Sequence, residues 1–422
     1  MKVLGLIVEY NPFHNGHLYH IEQSKKLTGA DYTVCVMSGN FIQRGEPAMI
    51  NKWARTKMAL MSGVDLVIEL PLVYAMSSAE FFAYGAVKIL DSLGIVDCIS
   101  FGSEIGTIHV LDQIAEILKN EPEEFKSRLK NELAKGVSFP AAREAALKGY
   151  FKDMNLDGEG IEDVLGSSNN ILGIEYLKAL KSIRSSIEPY TIKRVSNAYN
   201  TKEITGSISS ATAIRKHIFN VDESAEYLEK LEEVLPNASR RVLCEEFTEG
   251  RGPIFAQHFE SMILAGVRRL SAEGLRELPY MNEGIEHRIK KAGDISGSFI
   301  ELIEQISTKR YTKTRIQRTL FNLLTSITAD EFNKFNRYGG PQYIKVLGFN
   351  LKGRQMLSLI NKRAALPVIT KAADYKRSCN RLLTRMLEIE NFSTDMYVLA
   401  YSNKDCRKAG QEYTQSPIRF QL

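Results

Sequence analysis

The sequence predicts an α/β protein with an N-terminal doubly wound parallel sheet and a mainly α-helical C-terminal region. From the N-terminus to about residue 110, short apolar runs alternate with segments of helical period, as in a parallel sheet with right-handed crossovers. After Pro236 this alternation ends and helical period prevails. Because 422 residues exceed what one hydrophobic core usually holds, we expect two regions, residues 1–235 and residues 236–422.

Each predicted strand is a short apolar run that ends in a turn signal, and each predicted helix has apolar residues three or four positions apart. The predicted strands are Val3–Val8, Asp31–Met37, Val64–Leu70, Val96–Phe101 and Tyr190–Val195. The predicted helices of the first region are Leu18–Leu27, Pro47–Met61, Ser78–Leu93 and Ile171–Ile183, with others over 110–150. The second region has predicted helices at Ile254–Leu270, Ser298–Ile306, Lys313–Ile327 and Leu382–Glu390, and a strand-like run at Tyr343–Leu347. Since ligands bind at the C-terminal ends of parallel strands, we expect a site there.

The segment Asn11–His17, N-P-F-H-N-G-H, joins the first predicted strand to the first predicted helix. Free N–H groups and the helix dipole make such a helix start an anion site, and Gly16 allows a phosphate to come close. His14 and His17 fall on one face of the first turn, where both can donate hydrogen bonds to phosphate oxygens. A His-x-x-His pair can also be half of a zinc site, but no Cys-x-x-Cys or His-Glu-x-x-His supplies further ligands. We therefore expect a phosphate site and assign no metal ligands.

A second anion-binding pattern lies at Ile208–Arg215, I-S-S-A-T-A-I-R. Ser209, Ser210 and Thr212 at a helix start place hydroxyl and N–H groups near one anion, and Arg215 adds a guanidinium. A simple helix cap would need only one serine. The pattern therefore predicts a second part of the same phosphate site.

Attack on the α-phosphate of ATP fits these two patterns, because the site would act through positioning and positive charge. The predicted catalytic residues are His14, His17, Lys52 and Arg215, with Lys57 as an alternative to Lys52. A carboxylate as the attacking group would give an acyl-adenylate, and a nucleotide monophosphate would give a dinucleotide. We expect ATP as a substrate, accompanied by Mg²⁺.

Net positive charge is confined to the C-terminal part of the chain. Residues 251–422 contain 28 Lys+Arg against 16 Asp+Glu, net +12, whereas residues 1–250 contain 27 against 34, net −7. Such a bias is typical of polyanion binding, although a solvated helical surface can have it too. Basic residues interleaved with aromatic ones suit a single-stranded RNA loop. The residues predicted to contact RNA are Arg268, Arg269, Lys309, Arg310, Lys313 and Arg315.

Composition favours a soluble cytoplasmic protein. Hydrophobic residues make up 44% and charged residues 25%, and the five cysteines are scattered without metal or redox spacing. The N-terminus lacks a signal-peptide pattern, and no segment is apolar enough to cross a bilayer. We expect no membrane partner.

The two motifs resemble known signatures. H-N-G-H after the first strand and I-S-S-A-T-A-I-R resemble those of the nucleotidyltransferase superfamily, which has a Rossmann-like fold shared with class I aminoacyl-tRNA synthetases. More narrowly, the chain resembles the bacterial tRNA(Met) cytidine acetate ligases over nearly its whole length. The strings that carry this resemblance are V-E-Y-N-P-F-H-N-G-H, F-I-Q-R-G-E-P, F-G-S-E, N-N-I-L-G-I-E-Y-L-K-A-L, I-S-S-A-T-A-I-R and the G-R-G-P run at Gly250–Pro253.

The resemblance implies that ATP and acetate form acetyl-adenylate. The N4 amine of the wobble cytidine of elongator tRNA(Met) would then attack it to give N4-acetylcytidine, so that tRNA and not DNA is the expected partner. The implied nucleotide-binding residues are Ile7, Val8, Glu9, Tyr10, Asn11, Pro12, Phe13, His14, Asn15, Gly16, His17, Leu18, Tyr19, His20, Gly102, Asn169 or Asn170, Arg194 and Val195. The asparagines belong to Gly166–Asn170, where helix capping and recognition of a nucleobase or ribose both remain open.

Two other functions are compatible with the residues alone. A small-molecule adenylyltransferase would share both signatures but has no need of a large basic region. A non-catalytic RNA-binding protein with a relic nucleotide site would bind tRNA without responding to ATP.

Overall fold

The fold is described from a computed structural model, which covers residues 1–154, 164–194, 209–220, 231–282, 284–375 and 378–421. The strands are β1 (Val3–Val8), β2 (Tyr32–Ser38), β3 (Phe41–Ile42), β4 (Glu46–Pro47), β5 (Leu66–Leu70), β6 (Cys98–Ser103), β7 (Glu188–Lys193), β8 (Ile344–Phe349), β9 (Val368–Ile369) and β10 (Ile418–Arg419). Eight of them form one sheet in the order β10-β8-β5-β2-β1-β6-β7, with β9 beside β8, and β3 pairs with β4 in a hairpin.

The helices follow the strands in alternation up to β7 and then dominate the chain. The first-region helices are α1 (Asn15–Thr28), α2 (Lys52–Met61), α3 (Leu72–Ala75), α4 (Ala79–Ser92), α5 (Ile108–Asn120), α6 (Glu123–Ala134), α7 (Phe139–Asp153), α8 (Ser168–Ile183) and α9 (Ala211–Asn220). The later helices are α10 (Asn237–Thr248), α11 (Glu260–Arg269), α12 (Ala272–Arg276), α13 (Ile285–Ile295), α14 (Phe299–Ile306), α15 (Lys313–Thr325), α16 (Ala329–Arg337), α17 (Leu351–Arg363), α18 (Arg381–Val398) and α19 (Gln411–Thr414). The α/β class and the helical C-terminal region are confirmed.

The parallel part of the sheet is covered on both faces, as in a doubly wound fold. The strands β5, β2, β1, β6 and β7 run parallel to one another. Along β2, Val34 and Val36 belong to one apolar core while Cys35 and Met37 belong to another. Because successive strand residues point to opposite faces, the sheet separates the two cores.

The C-terminal region completes the same sheet. The strand-like run predicted at Tyr343–Leu347 is β8, and it pairs antiparallel with β5, with an irregular register between Val67 and Ile68. The short strands β9 and β10 lie parallel to β8. The sequence did not predict these two strands or the pairing of β8 with β5. A boundary at residues 235/236 stays a prediction, while the two regions share one sheet.

Three predicted element boundaries shift for local reasons. The helix α1 begins at Asn15 rather than Leu18 because His14 caps it. Pro47 lies in β4, and α2 begins at Lys52, where the Asn51 side chain accepts a hydrogen bond from a backbone N–H group of the first turn. The predicted helix Ile254–Leu270 is a 3₁₀ turn followed by α11.

An aromatic cluster fixes the β3–β4 hairpin to the helical region. The ring of Phe41 lies 5.9 Å from Phe259, 5.6 Å from Phe321 and 5.8 Å from Tyr397, measured between centroids. Edge and tilted contacts of this kind add to the energy of apolar burial. The hairpin therefore connects the end of β2 to helices from the second half of the chain. Among the described residues, none of the helices is both long and apolar enough for a bilayer crossing.

Candidate active site

A buried arginine fixes the ends of the two central strands. Arg55 Nη1 donates to the backbone carbonyl oxygens of Glu9 at 2.7 Å and Ser38 at 3.1 Å, and Nε donates to that of Ile50 at 3.1 Å. Its side chain is wholly buried. These bonds satisfy carbonyl groups that leave the sheet, so they hold the loops after β1 and β2 in one arrangement.

The loop after β1 leads into two histidines that cap α1 reciprocally. Nδ1 of His14 accepts a hydrogen bond from the backbone N–H of Gly16 at 3.0 Å, and Nδ1 of His17 accepts one from the backbone N–H of His14 at 3.2 Å. A neutral imidazole that accepts at Nδ1 carries its proton at Nε2. The cap therefore leaves each Nε2–H as a donor at the start of the helix.

Both imidazoles are neutral. Burial, with the charges of Arg194 and Arg215, lowers the pKa of His14 to about 3. Burial and then the adjacent His14 lower the pKa of His17. The two rings stack with their centroids 3.7 Å apart and their planes 26° apart, which two imidazolium ions would not do. Neutral rings can donate hydrogen bonds to an anion without repelling the nearby arginines.

Arg215 lies beside this helix start, as the sequence predicted. Its Nη1 donates to the backbone carbonyl of Asn11 at 2.8 Å, and its Nη2 lies 3.8 Å from Oε2 of Glu46. Burial lowers the pKa of Arg215, whereas the charges of Glu46 and Glu9 oppose that shift. The structure thus joins the first and second motifs.

Arg194 also lies close to the histidines. Its charge contributes to the lowered pKa of His14, of His17 and of His20. Its backbone N–H extends the β6–β7 pairing, and a Cβ on Gly102 would come within 3.2 Å of the Arg194 Cγ, so glycine gives this side chain room. Within the described part of the chain, the buried Nε of Arg194 has no hydrogen-bond partner. A phosphate oxygen would satisfy that donor.

The second motif is described only from Ser209 onward, because Ile208 lies outside the described residues. Val195, of the implied nucleotide-binding set, lies outside them as well. Ser210 caps α9, because its Oγ accepts a hydrogen bond from the backbone N–H of Ala213 at 3.1 Å. Ser209 is buried and Thr212 is exposed. Capping thus accounts for Ser210, while contact of Ser209 and Thr212 with phosphate stays a prediction.

The two asparagines at the start of α8 hold Glu104 rather than capping their helix. Asn169 Nδ2 donates to Glu104 Oε1 at 2.7 Å, and the backbone N–H of Asn170 donates to Oε2 at 3.1 Å. Oδ1 of Asn170 accepts from the backbone N–H of Glu104 at 2.9 Å. The N-cap residue is Ser167, without a side-chain cap bond. The capping interpretation is therefore wrong, and a role of either asparagine at a nucleotide stays a prediction.

Several residues of the stretch implied by the resemblance have packing roles. Tyr10 has a positive φ of 48° and packs on Phe13, with centroids 4.7 Å apart, and on His17 at 5.0 Å. Tyr10 and Phe13 are buried. His20 is half-buried, and burial together with Arg194 lowers its pKa to about 4. Tyr10 and Phe13 thus pack against the first turn of α1.

The β3–β4 hairpin places residues beside Glu9 that belong to neither of the two motifs. Oε1 of Glu9 accepts a hydrogen bond from the backbone N–H of Gln43 at 2.8 Å. Burial raises the pKa of Glu9, although Arg215, Arg44 and Arg55 oppose that shift. The string F-I-Q-R-G-E-P over 41–47 carried the resemblance, but no spacing rule indicated that it lies beside Glu9 and Arg215.

Lys52 lies in a closed cluster of buried charges. Its Nζ is 2.5 Å from Glu69 Oε1 and 3.2 Å from Glu390 Oε1, and it also contacts Glu412. Lys345 completes the cluster, with its Nζ 2.8 Å from Glu69 Oε2 and in contact with Glu412. Burial opposes the charge of Lys52, but the three carboxylates together outweigh it and raise the pKa. This ammonium group is not placed to bind a phosphate, so Lys52 is left out of the proposed catalytic set.

Lys57, the alternative to Lys52, forms a largely exposed ion pair of 2.6 Å with Glu245. The three carboxylates around Lys52 are also the one group of three metal-ligating side chains among the described residues, with ligand atoms within 4.8 Å of one another. Two ammonium groups, of Lys52 and Lys345, already form ion pairs with them, so we assign no metal there.

The residues predicted to contact RNA lie on the helical region. Arg269, Lys309, Arg310 and Lys313 are exposed. Arg268 donates to two backbone carbonyl groups at the end of α13, both at 2.9 Å. Nη2 of Arg315 donates to the carbonyl of Tyr280 at 3.0 Å. The structure thus uses two of the six guanidinium or ammonium groups to brace loops, and RNA contact for all six stays a prediction.

Comparisons with known proteins agree with this geometry. A family model described as HIGH Nucleotidyl Transferase matches residues 1–412. A protein of Acetivibrio thermocellus named tRNA(Met) cytidine acetate ligase is 56% identical over 99% of this chain and 100% of its own length. A protein of Thermoanaerobacter sp. with the same name is 49% identical over 100% of both chains. The crystal structure of Thermotoga maritima TmcAL bound with alpha-thio ATP has a TM-score of 0.94 and 38% identity, covering 100% of both chains.

The fold and the histidine site define a nucleotidyltransferase of the HIGH type. More narrowly, the full-length matches show that the chain belongs to the family of tRNA(Met) cytidine acetate ligases.

Proposed function

We propose that this protein is an ATP-dependent ligase that acetylates N4 of the wobble cytidine of elongator tRNA(Met). Acetate attacks the α-phosphorus of ATP, which forms acetyl-adenylate and releases pyrophosphate. The cytidine amine then attacks the acetyl carbon, the bond to AMP breaks, and N4-acetylcytidine results. The names of the full-length relatives support this activity, and tRNA as substrate places the reaction in the cytoplasm.

The observation that carries the proposal is the reciprocal cap of His14 and His17. Because each Nδ1 is occupied by a backbone N–H, both Nε2–H groups are fixed as donors for oxygens of the α-phosphate and of the departing pyrophosphate. The positive end of the α1 dipole acts in the same direction. No reorganisation is needed when charge develops, because the donors are already in place.

Arg194 and Arg215 supply the full positive charges. Arg194 lies near all three histidines with a buried donor that lacks a partner in the described residues. Arg215 is oriented by the Asn11 carbonyl. Acetate is itself the nucleophile, so the residues need only position the carboxylate and offset the charge that develops in the transition state.

Mg²⁺ would enter with the phosphates of ATP. Glu9, Glu46 and Glu104 are the carboxylates placed near the site, and each already has a donor or a cation beside it. The chain would therefore contribute few direct ligands, and the ion would supply charge neutralisation on the β- and γ-phosphates.

The proposal is tested by mass spectrometry of nucleosides from unmodified tRNA(Met) incubated with the protein, ATP and isotopically labelled acetate. We expect labelled N4-acetylcytidine with the wild type and at least a 100-fold loss with His14→Asn, which keeps an N-cap acceptor but lacks the Nε2–H donor. Arg215→Ala should lose activity as well. Arg354→Ala, on the exposed face of α17, is the matched control.

Release of AMP and pyrophosphate without label in tRNA would keep the adenylation step and reject the acetyl acceptor. Turnover of a mononucleotide without tRNA would favour a small-molecule adenylyltransferase. Binding of tRNA that neither depends on ATP nor leads to modification would reject an enzyme altogether.

A further inference from the structure

We propose that Arg44 and Arg318 form a phosphate-binding pair. This pair guides the RNA strand that carries the wobble cytidine from the helical region into the adenylation site. This proposal rests on the proposed function and names the residues that connect its two halves. Neither arginine belongs to the two nucleotide-binding motifs, and Arg318 lies on α15 in the second half of the chain.

The β3–β4 hairpin lies directly on α15. Gly45 has a φ of 75°, and a Cβ at this position would overlap the backbone of Gln317 and Arg318. The close approach requires glycine, because any side chain would push the hairpin away from the helix. Residues 43–45 are therefore held between the adenylation site and the N-terminal half of α15.

Hydrogen bonds extend this contact into a continuous frame. Gln43 donates from its backbone N–H to Glu9 and from Nε2 to the carbonyl of Ser77 at 3.1 Å. The next residue, Ser78, donates its backbone N–H to the hydroxyl oxygen of Tyr280 at 3.0 Å. A rigid path thus runs from Glu9, beside Arg215, to Tyr280 of the helical region.

Arg318 lies on this frame with spare hydrogen-bonding capacity. Its guanidinium is 5.5 Å from the centre of the Tyr280 ring, and its single contact to Gln43 is a long one, from Nη1 to the carbonyl oxygen at 3.4 Å. Its buried Nε has no partner among the residues that the structure describes. Burial lowers the pKa of Arg318, Tyr280 opposes that shift, and the charge of Arg315, three positions earlier on α15, adds to it. The guanidinium group of Arg318 can therefore accept an anion as a further hydrogen-bond partner.

Arg44 lies in the turn of the hairpin, directly before Gly45, whose backbone meets that of Arg318. Arg44 follows Gln43, whose backbone N–H donates to Glu9 at 2.8 Å, and its charge acts on both Glu9 and Arg215. Across the described ranges, Arg44 forms neither a hydrogen bond nor an ion pair. Two neighbouring guanidinium groups repel each other, and among the described residues the ion pair of Arg215 is a long one, with its Nη2 3.8 Å from Oε2 of Glu46. An external anion would relieve this repulsion.

The ligand that fits is a phosphodiester of single-stranded RNA. One guanidinium group can donate hydrogen bonds to two phosphate oxygens at once. Tyr280 beside Arg318 offers an aromatic surface near the strand. ATP is the other source of phosphate, and Arg44 lies near the site that would hold it. The position of Arg318 on the helical region favours the RNA, and the two sources are separable by experiment.

The test compares two activities of Arg318→Gln, Arg44→Gln, Arg318→Lys and the wild type. The first is acetate-dependent exchange of labelled pyrophosphate into ATP without tRNA, and the second is tRNA acetylation as a function of tRNA and salt concentration. With Arg318→Gln we expect unchanged exchange and a KM for tRNA that rises about 10-fold. The plot of log(kcat/KM) against log salt should become shallower by about 0.7, which is the slope contributed by one phosphate contact on a single strand.

The conservative and control variants separate this role from a structural one. Arg318→Lys keeps the charge and should keep most of the salt slope. Arg44→Gln should raise the KM for tRNA more than it slows exchange. Arg354→Gln should change neither activity, because Arg354 lies on α17 near Asn350, which binds Asp65 just before β5. This is the amino-terminal end of β5, whereas the candidate site lies at the carboxyl-terminal ends of the parallel strands.

Two outcomes would overturn the proposal. If Arg318→Gln and Arg44→Gln slow the exchange reaction as much as tRNA acetylation, their phosphate belongs to ATP. If the KM for tRNA and the salt slope stay at wild-type values, the pair does not bind phosphate. Failure of the proposed function differs from both, since the wild type would then show neither acetate-dependent exchange nor tRNA acetylation.

Discussion

Replacing Lys52 with methionine distinguishes a catalytic lysine from a structural one. In the structure, Lys52 and Lys345 face Glu69, Glu390 and Glu412 inside the protein. Burial raises the pKa of Glu390, with the neighbouring Glu69 as the second cause. With Glu390 protonated, the cluster holds two positive and two negative charges and is neutral.

The Lys52→Met variant would leave one carboxylate without a counter-charge. Protonating a carboxyl group of pKa 4.5 at pH 7 costs about 3 kcal/mol. Breaking a buried ion pair by removing one partner costs about 3–5 kcal/mol in other proteins, which agrees with that figure. We therefore expect the free energy of unfolding to fall by about 3–5 kcal/mol, with an unchanged KM for ATP in the protein that remains folded.

The assay is denaturant-induced unfolding of the full chain, combined with pyrophosphate exchange at a temperature where the variant is folded. The double variant Lys52→Met/Glu69→Gln removes one charge of each sign, so it should recover about 0.5–3 kcal/mol. If Lys52→Met unfolds within about 1 kcal/mol of the wild type while exchange falls 100-fold, the structural reasoning is wrong and the sequence-based catalytic assignment is right.

Three further predictions concern His17, His20 and the buried carboxyl group of Glu390. His17→Gln, which can keep both an acceptor for the His14 N–H and a donor near the Nε2 position, should retain more exchange activity than His17→Asn in parallel assays. Between pH 7 and pH 5, the wild type should lose about 2 kcal/mol more unfolding free energy than His20→Gln. The reason is that the pKa of His20 falls from 6.5 to about 4 on folding, so its contribution is complete above pH 6.5 and is lost as pH falls. Because burial raises the pKa of Glu390, the contribution of this carboxyl group to the unfolding free energy should decline as pH rises above 4.5, so Glu390→Gln should lose less unfolding free energy than the wild type over that rise.

The arrangement proposed to bind phosphate was predictable where it depends on local sequence. His14, His17 and Arg215 were assigned because a strand end, a helix start and the spacing of two motifs follow from a few adjacent residues. The five parallel strands were predictable for the same reason. The tautomers of the two histidines were not, since they depend on which backbone N–H group each Nδ1 meets after the loop has folded.

Contacts between distant parts of the chain were beyond sequence reasoning. Lys52 was assigned as a positive charge that would meet the charge developing on the phosphate, but its partners Glu390 and Glu412 lie more than 300 positions later. The antiparallel pairing of β8 with β5 is equally non-local. Single-sequence periodicity indicates that a strand exists, whereas its neighbour is chosen by tertiary packing.

The shared sheet decides how the predicted division between residues 1–235 and 236–422 can be tested. Deleting residues 251–422 would expose the edge of β5, where Leu66 to Leu70 are all buried, and remove three members of the charge cluster. An exposed apolar edge strand invites aggregation, and Lys52 with Glu69 would be left as an isolated pair. We expect the truncated chain to be insoluble or to lack a cooperative unfolding transition, as circular dichroism would detect. A soluble, cooperatively folded fragment would contradict this, and the loss of tRNA binding would then locate the RNA surface. Point substitutions in the intact chain are therefore the sharper test of where tRNA binds.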